Sequence, residues 1–521
     1  MTSDGAARQR LHTEVDFRHR AGSDAARPDA VEQQHRRGKL TARERIELLT
    51  SGSGFFEFGA LAGPGPAQPG SPALVAPADA MVTGIGYIDG RATAIAAFDF
   101  TVLGGSTGTV GMAKLSRCAE RALLDRIPLV VLSDSGGHRM QEGLDSRHAA
   151  LGSPLFQQLN DLSGFVPIVT VMMGPGFGVG TNLAALCDFV VMVRGTSTLG
   201  MSSSPFVAAA TGEHMTNEEI GGADVQAGRG VADLAVDDEQ EALDAVRAFL
   251  GFLPANSLES PPRIPGPRPP EEIDLDRLVP LSGRRGYDVR DAIRGLCDED
   301  SILEIREAAA PNVVTAFARV DGRAVGVVAN QPLHLGGALD SGACEKAAHF
   351  IAVCDAFGLP LLILIDLPGF LIGSAAESTQ LARRSGRLVY ELAEATVPRI
   401  SIVVRKAYGA AYIAMGGGRG YSPDLALAWP TAEICAMPVD GAVDIAYRRD
   451  WQSAQDPEAR RAELIAGFEK NIDPFHAADG FGLDDVVLPS QTRRLITETL
   501  SRVAARRPPR VPHKRRSISP I

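Results

Sequence analysis

The sequence predicts a layered α/β protein in which one domain is built twice. Three observations carry this. Short β-branched runs alternate with helix-period segments, and each run ends at a Gly-rich turn, the pattern of a sheet flanked by helices. A stretch reading P-A-N-S-L-E-S-P-P-R-I-P-G-P-R-P-P (254–270) is too proline-rich for regular structure and marks a boundary. Beyond it the same order returns in register. Asp89-Gly90-Arg91 recurs as Asp321-Gly322-Arg323, Gly104-Gly105 as Gly336-Gly337, Lys114 as Lys346, and Ile127-Pro128-Leu129 as Leu359-Pro360-Leu361, each 232 residues on. Val166-Pro167 recurs as Val397-Pro398 and Gly178 as Gly409, 231 residues on. These islands in register identify a duplication.

A chain of 521 residues exceeds what one core usually supports. The expected division is a flexible segment over 1–30, a first domain over 31–258, a linker over 259–274, a second domain over 275–507 and a basic tail over 508–521. Within 31–49, Thr41-Ala42-Arg43-Glu44 fits a capping box and predicts an N-terminal helical arm. Leu61–Ala78 reads as a loop. Met81–Ile88 and Ala92–Phe98, joined by Asp89-Gly90, form a hairpin. Met112–Leu124 has helical period, and Pro128–Leu132 and Ile168–Met173 are buried strands. In the second half, Ile400–Val404 is a strand that ends in a small-residue turn at Gly409-Ala410-Ala411, its twin being the end of the Gly-rich turn Gly174–Gly180. Ala454–Lys470 and Arg493–Arg506 read as helices, with a turn at Asp473-Pro474 between them.

Composition narrows the function. A net charge of −11 argues against a nucleic-acid scaffold. Six scattered cysteines without C-x-x-C, and no His at ligand spacing, predict buried free thiols and no metal site. Met1–Arg10 has no apolar core, so no signal peptide is expected, and prolines, glycines and Asp188 break the apolar stretch 165–193, so no membrane span is expected. A cytoplasmic location follows as the expectation. Neither nucleotide fingerprint occurs in a suitable context, which argues against ATP chemistry in this chain.

A strand that ends in a tight turn and a helix N-terminus presents backbone N–H groups without intrahelical partners. Such donors suit an oxygen that carries negative charge, either a phosphate or an enolate-like oxyanion. Two copies point to two such oxygens. No catalytic triad stands out. His138, in Ser135-Gly136-Gly137-His138-Arg139, is a candidate general acid or base, with a solvated loop histidine or a phosphate contact as the other readings. Asp134 and Asp366 read as turn braces. Arg36, Arg37, Lys39, Arg139, Arg405 and Lys406 could meet anionic phosphates, with solvated surface charge as the default reading.

Longer motifs carry a family signal. They are R-G-K-L-T-A-R-E-R-I (37–46), D-F-T-V-L-G-G-S (99–106), S-D-S-G-G-H-R-M-Q-E-G (133–143), E-E-I-G-G-A (218–223), D-L-P-G-F (366–370), R-K-A-Y-G (405–409) and A-W-P-T-A-E-I (428–434). At these residues the chain resembles the carboxyltransferase (beta) subunits of biotin-dependent acyl-CoA carboxylases, within the crotonase-like superfamily. The resemblance runs from about 31 to 513. It implies two crotonase-like (ClpP/crotonase) domains and a homohexameric ring. The first domain would bind a short acyl-CoA, acetyl- or propionyl-like, with its thioester oxygen at the N–H groups of Val179 and Gly180. The second would bind carboxybiotin, with its ureido oxygen at Ala410 and Ala411. CO₂ would pass to the acyl α-carbon through enolate intermediates, giving malonyl-CoA or its homologue. Gly136, Gly137, Phe177, Gly178, Tyr408, Gly409 and Ile413 would line the substrate sites, Ile413 at a position tied to acyl-chain selectivity. Biotin would arrive on a carrier subunit, with biotin carboxylase a separate partner.

The chain departs from that pattern in several places. Gly-Gly is usual where Gly178-Val179 and Gly409-Ala410 stand, Gly-Pro-Asp-Val where Ser203-Ser204-Pro205-Phe206 stands, Gly-Gly-Ile-Ile where Thr379-Gln380-Leu381-Ala382 stands, and Ala at His138. These departures leave two alternatives beside carboxyltransfer. One is a diverged decarboxylase or a biotin-independent acyl-transfer enzyme acting on an acyl-CoA or acyl-carrier-protein substrate. The other is a catalytically silent structural subunit of a carboxylase assembly.

Overall fold

A computed structural model describes residues 3–65, 74–144, 146, 152–266 and 268–507. The basic tail expected at 508–521 lies outside the described residues. The chain divides into two compact units, Met1–Glu259 and Ser260–Ile521.

In the first unit a seven-stranded sheet has the order β1-β2-β3-β4-β5-β7-β9. Its strands are β1 (Phe55–Phe58), β2 (Met81–Ile88), β3 (Arg91–Phe98), β4 (Leu129–Ser133), β5 (Ile168–Met172), β7 (Phe189–Val193) and β9 (Leu234–Val236). A separate pair joins β6 (Pro175–Phe177) to β8 (Thr198–Gly200) in parallel. β2 and β3 form the expected hairpin, and Asp89 (φ +48°) and Gly90 (φ +78°) take the left-handed conformations a two-residue turn demands. From β3 onward the pairing is parallel. Strands β4, β5 and β7 are buried along their whole length, which explains their unbroken apolar runs.

The second unit repeats the plan in an eight-stranded sheet, β10-β11-β12-β13-β14-β15-β17, with β16 paired to β14 off that path. Its strands are β10 (Leu303–Ile305), β11 (Val313–Val320), β12 (Arg323–Asn330), β13 (Leu361–Leu367), β14 (Arg399–Tyr408), β15 (Leu425–Ala428), β16 (Glu433–Cys435) and β17 (Asp485–Val486). The repeat extends to single atoms. Helix Thr109–Asp125 and helix Ser341–Phe357 have the same length and the 232-residue offset. Lys114 Nζ donates to the carbonyls of Ala78 and Met81, and Lys346 Nζ to those of Ala309 and Val313. Burial pulls both ammonium groups down to about 8.

Carboxylates start the parallel strands in both units. Asp188 accepts from the Ile168 N–H and Asp233 from that of Val190; Asp424 accepts from Arg399 and Asp484 from Ala426. Burial, with the nearby Asp233 charge adding to it, pushes the Asp188 carboxyl up to about 7. Its folded pKa therefore exceeds the ordinary carboxylate value of about 4. The folded state binds the proton more tightly, so this contribution is fully present below about pH 4 and is lost as pH rises through about 7. Asp188→Asn cannot ionise and keeps an oxygen for the Ile168 N–H. It is expected to stabilise the fold by about 1–2 kcal/mol at pH 8 and not at pH 4, read from thermal midpoints at the two pH values. An equal shift at both would refute the ionisation argument.

Helix begins earlier than the expected arm, at Ser3–Ala21, followed by Pro28–Arg36 and Ala42–Leu49. The capping box at Thr41 is present in both directions, with the Thr41 hydroxyl accepting from the Glu44 N–H and the Glu44 carboxylate accepting from that of Thr41. Three other elements differ from their sequence reading. β14 runs on to Tyr408 rather than stopping at Val404, because its far end pairs with β16. Pro175–Phe177 is a strand inside the expected turn. Asp473 caps a helix, Pro474–Asp479, where a turn was expected. Five of the six free cysteines are buried and Cys435 is partly exposed. Among the described residues no helix is long and apolar enough to cross a membrane.

Candidate active site

In the first unit the chain leaves β6 at Phe177 and turns on Gly178 into helix Val179–Ala185. Gly178 has φ +63° and ψ −116°, a conformation essentially reserved for glycine. A Cβ there would meet nothing within 4 Å, so the requirement is conformational rather than steric. The turn is pinned from behind: the Gly200 carbonyl accepts from the Gly178 N–H (3.2 Å) and from the Thr181 hydroxyl (2.5 Å). Val179 and Gly180 are the first two helical residues, so their N–H groups lack intrahelical acceptors. The Val179 side chain is 47% exposed. Phe177 is half-buried, and its ring passes 3.6 Å from the place a Gly200 Cβ would take.

The loop after β4 lies beside this turn, its Ser135 N–H donating to the Pro175 carbonyl at 3.1 Å. It is zipped to the segment 104–107. Gly136 donates to Gly104, Thr107 donates to Gly137, and Arg139 donates to Thr107, each at 2.9 Å. Gly136 is exposed, Gly137 has φ +99°, and His138 is exposed, its ring packed over Gly143. Arg139, a sequence candidate for phosphate, is instead buried against Asp79 and Glu142.

Asp134, read as a turn brace, does more than that. Its buried carboxylate accepts from Lys39 Nζ (2.6 Å), Arg45 Nη1 (3.0 Å) and Gln34 Nε2 (3.0 Å). Arg45 continues to Glu239 through Nε at 2.8 Å and Nη2 at 2.5 Å. Gly174 supplies the room, because a Cβ there would fall 1.8 Å from Asp134 Oδ1. Lys39 is therefore an anchor of the N-terminal helices and not a phosphate contact. Burial holds its ammonium below the ordinary value despite Asp134.

The second unit has the matching turn. β14 ends at Tyr408, Gly409 takes φ +69°, and helix Gly409–Ala414 follows. Ala410 is exposed and Ala411 buried. Ile413, one turn on, is 52% exposed. The loop after β13 repeats the zipper: Leu339 donates to Gly369 (3.1 Å) and Leu371 to Leu339 (2.8 Å). Asp366 accepts from Arg405 Nε and from the Lys406 N–H, each at 3.0 Å. Arg405 also stacks on Tyr287, and Lys406 Nζ binds the Gly283 carbonyl. These two cations are thus committed inside the unit, while Arg36 and Arg37 are exposed. In Gly416-Gly417-Gly418, the last two form a pad for Tyr412, whose ring would lie 1.8 Å from a Cβ on Gly417, while Gly416 faces Leu392 and Ile363.

Two partners at these turns were not singled out from the sequence. Gly200 is one. The other is Glu433, whose carboxylate accepts the Tyr408 hydroxyl. Burial, reinforced by that carboxylate, pushes the Tyr408 phenol well above its ordinary value. Glu433 lies in a recognisable motif, but only the pairing of β14 with β16 brings it to Tyr408. Among the described residues no group of His, Cys, Asp and Glu is placed to hold a metal ion.

The carboxyl transferase domain model matches residues 33–518. The propionyl-CoA carboxylase carboxyltransferase subunit of Haloferax mediterranei is 40% identical over 485 residues, which is 92% of this chain and 93% of that one. The methylmalonyl-CoA decarboxylase alpha subunit of Veillonella parvula is 37% identical over 491 residues, 94% of each chain. Among solved structures, the hexameric transcarboxylase 12S with methylmalonyl-CoA and methylmalonic acid bound superposes with a TM-score of 0.92 at 38% identity, covering 100% of this chain and 99% of that one. This likeness bears out the crotonase-like α/β fold expected from the sequence. The chain belongs to the carboxyl transferase domain family, the carboxyltransferases of acyl-CoA carboxylase-type enzymes.

Proposed function

We propose that the chain is the carboxyltransferase component of a short-chain acyl-CoA carboxylase. It would move CO₂ from carboxybiotin to the α-carbon of acetyl- or propionyl-CoA. The observation that supports this most is the paired turn: Gly178 (φ +63°) and Gly409 (φ +69°) each release a strand into a helix whose first N–H groups are free of intrahelical acceptors.

The first unit is the acyl-CoA lobe. The N–H groups of Val179 and Gly180 hold the thioester oxygen as it gains charge during loss of the α-proton, each donor contributing about 3 kcal/mol. The second unit is the biotin lobe. Gly409 leaves its face open, with Ala436 O the nearest atom to an added Cβ at 3.4 Å, so a planar ureido oxygen fits against the N–H groups of Ala410 and Ala411. Bound carboxybiotin supplies CO₂ there. His138, exposed on its zippered loop, is the candidate side chain for proton handling, and Ile413 faces the choice of acyl group. A biotin carboxylase and a biotin carrier complete the reaction on other chains, and the assembly is a homohexamer like the 12S neighbour.

A second reading, decarboxylation of a malonyl-type thioester, draws on Val179, which adds a half-exposed side chain at the first turn, and on the Veillonella relative. One assay separates them. With biotinylated carrier, biotin carboxylase, ATP and bicarbonate, the first reading expects acetyl- or propionyl-CoA to become malonyl- or methylmalonyl-CoA. Inactivity in that mixture, together with CO₂ release from methylmalonyl-CoA in the absence of biotin, would replace it with the second.

A further inference from the structure

Among the described residues, strand β16 pairs with the sheet only through the last three residues of β14. Lys406 pairs with Glu433, Ala407 with Ile434 and Tyr408 with Cys435, in parallel. Lys406 and Tyr408 are two residues apart and share a face of β14, so Glu433, opposite Lys406, comes within reach of the Tyr408 hydroxyl. Its Oε2 takes the Tyr408 hydroxyl proton in a hydrogen bond. The next residue along, Ala436, brings its carbonyl oxygen to 3.4 Å from the place of a Gly409 Cβ. Strand β16 is itself tied down by the Ile434 N–H, which donates to Ile472 at 2.8 Å. A short strand is therefore clamped by one side-chain bond to the residue that precedes the Gly409 turn.

We infer that Glu433 is a positioning residue: it fixes the Tyr408 ring, and through it the backbone orientation of Gly409 and the N–H groups of Ala410 and Ala411. This rests on the assignment of that turn to the biotin side of the reaction. Tyr408 is only 8% exposed and its bond to Glu433 is part-buried, so removing the carboxylate takes away the acceptor that holds its hydroxyl. The ring then repacks, and the backbone it belongs to moves with it. A displacement of about 1 Å at such donors costs on the order of 10²-fold in rate. The effect is confined to the second unit's turn and leaves the turn at Gly178 untouched.

The test compares Glu433→Ala, Glu433→Gln, Tyr408→Phe and the double variant Glu433→Ala/Tyr408→Phe in the full chain. Hydrogen exchange over 407–414 reads the turn without any reaction. It is expected to quicken about tenfold or more in Glu433→Ala and Tyr408→Phe, and less in Glu433→Gln, which keeps an acceptor, while exchange over 176–182 stays as in the wild type. In transfer from carboxybiotin, kcat is expected to fall roughly 10- to 100-fold with KM for the acyl-CoA unchanged, and the double variant to be no worse than the worse single one. Unchanged exchange over 407–414 would overturn the inference whatever the activity. So would additive losses, or a change confined to the acyl-CoA KM. A wild-type chain that cannot use carboxybiotin would sink the proposed function instead, and the exchange result would still decide the clamp.

Discussion

Asp134→Ala is expected to destabilise the first unit by about 3–5 kcal/mol, seen as a lower urea midpoint and early loss of the N-terminal helices to proteolysis. The carboxylate is fully buried and is shared by Lys39, Arg45 and Gln34. Removing it leaves Lys39 buried without its counter-charge, and Arg45 with Glu239 alone. The penalty comes from stranded charge rather than from the lost attraction. For that reason Asp134→Asn, which keeps one acceptor oxygen, is expected to cost about half as much. The exposed pair Arg194–Asp224 is the contrast, and breaking it is expected to cost under about 1 kcal/mol. If Asp134→Ala melted with the wild type, the helices at Pro28–Leu49 would not be anchored through this cluster. The cluster also sits one residue before Ser135, so an intermediate loss of turnover is expected even where the fold survives.

Gly178→Ala carries the largest expected effect on rate, a fall of about 10²-fold in kcat with little change in thermal midpoint. The added methyl group has open space around it, so no clash drives the result. What fails is the backbone: at φ +63° and ψ −116° an L-residue costs about 1–3 kcal/mol. The turn relaxes, and the N–H groups of Val179 and Gly180 swing away from the place proposed for the thioester oxygen. Gly228→Ala makes a suitable control, since that glycine also has open space but an ordinary helical backbone. Full activity in Gly178→Ala would remove the first turn from the chemistry. Gly409→Ala is the twin experiment, expected to fall on the biotin half of the reaction.

Much of the architecture was legible in the chain. The hairpin at Asp89-Gly90, the capping box at Thr41 and the strands at Leu129 and Ile168 depend on neighbours within a few residues, and local chemistry specifies them. The duplication was legible because glycines and aspartates with unusual backbone angles recur: Asp89 and Asp321, Gly104 and Gly336, Gly178 and Gly409 share positive φ in pairs. The cations were misread. Lys39, Arg139 and Arg405 look like surface phosphate contacts in a string of residues, and each is buried against a carboxylate. Their partners for Lys39 and Arg405 lie 95 and 39 positions away, and no periodicity reports a distance of that kind.

By itself the sequence determined that two strand–glycine–helix turns exist, and that they descend from one unit. A glycine at each turn is a local necessity, imposed by one residue's own backbone. Which groups hold those turns in place was decided only by the tertiary structure. The Gly200 carbonyl behind Gly178, the Glu433 carboxylate at the Tyr408 hydroxyl and the shared carboxylate of Asp134 come from segments that meet through sheet pairing and burial. Such contacts depend on register between distant strands, and that register is set by how whole faces pack, not by the residues at the turn.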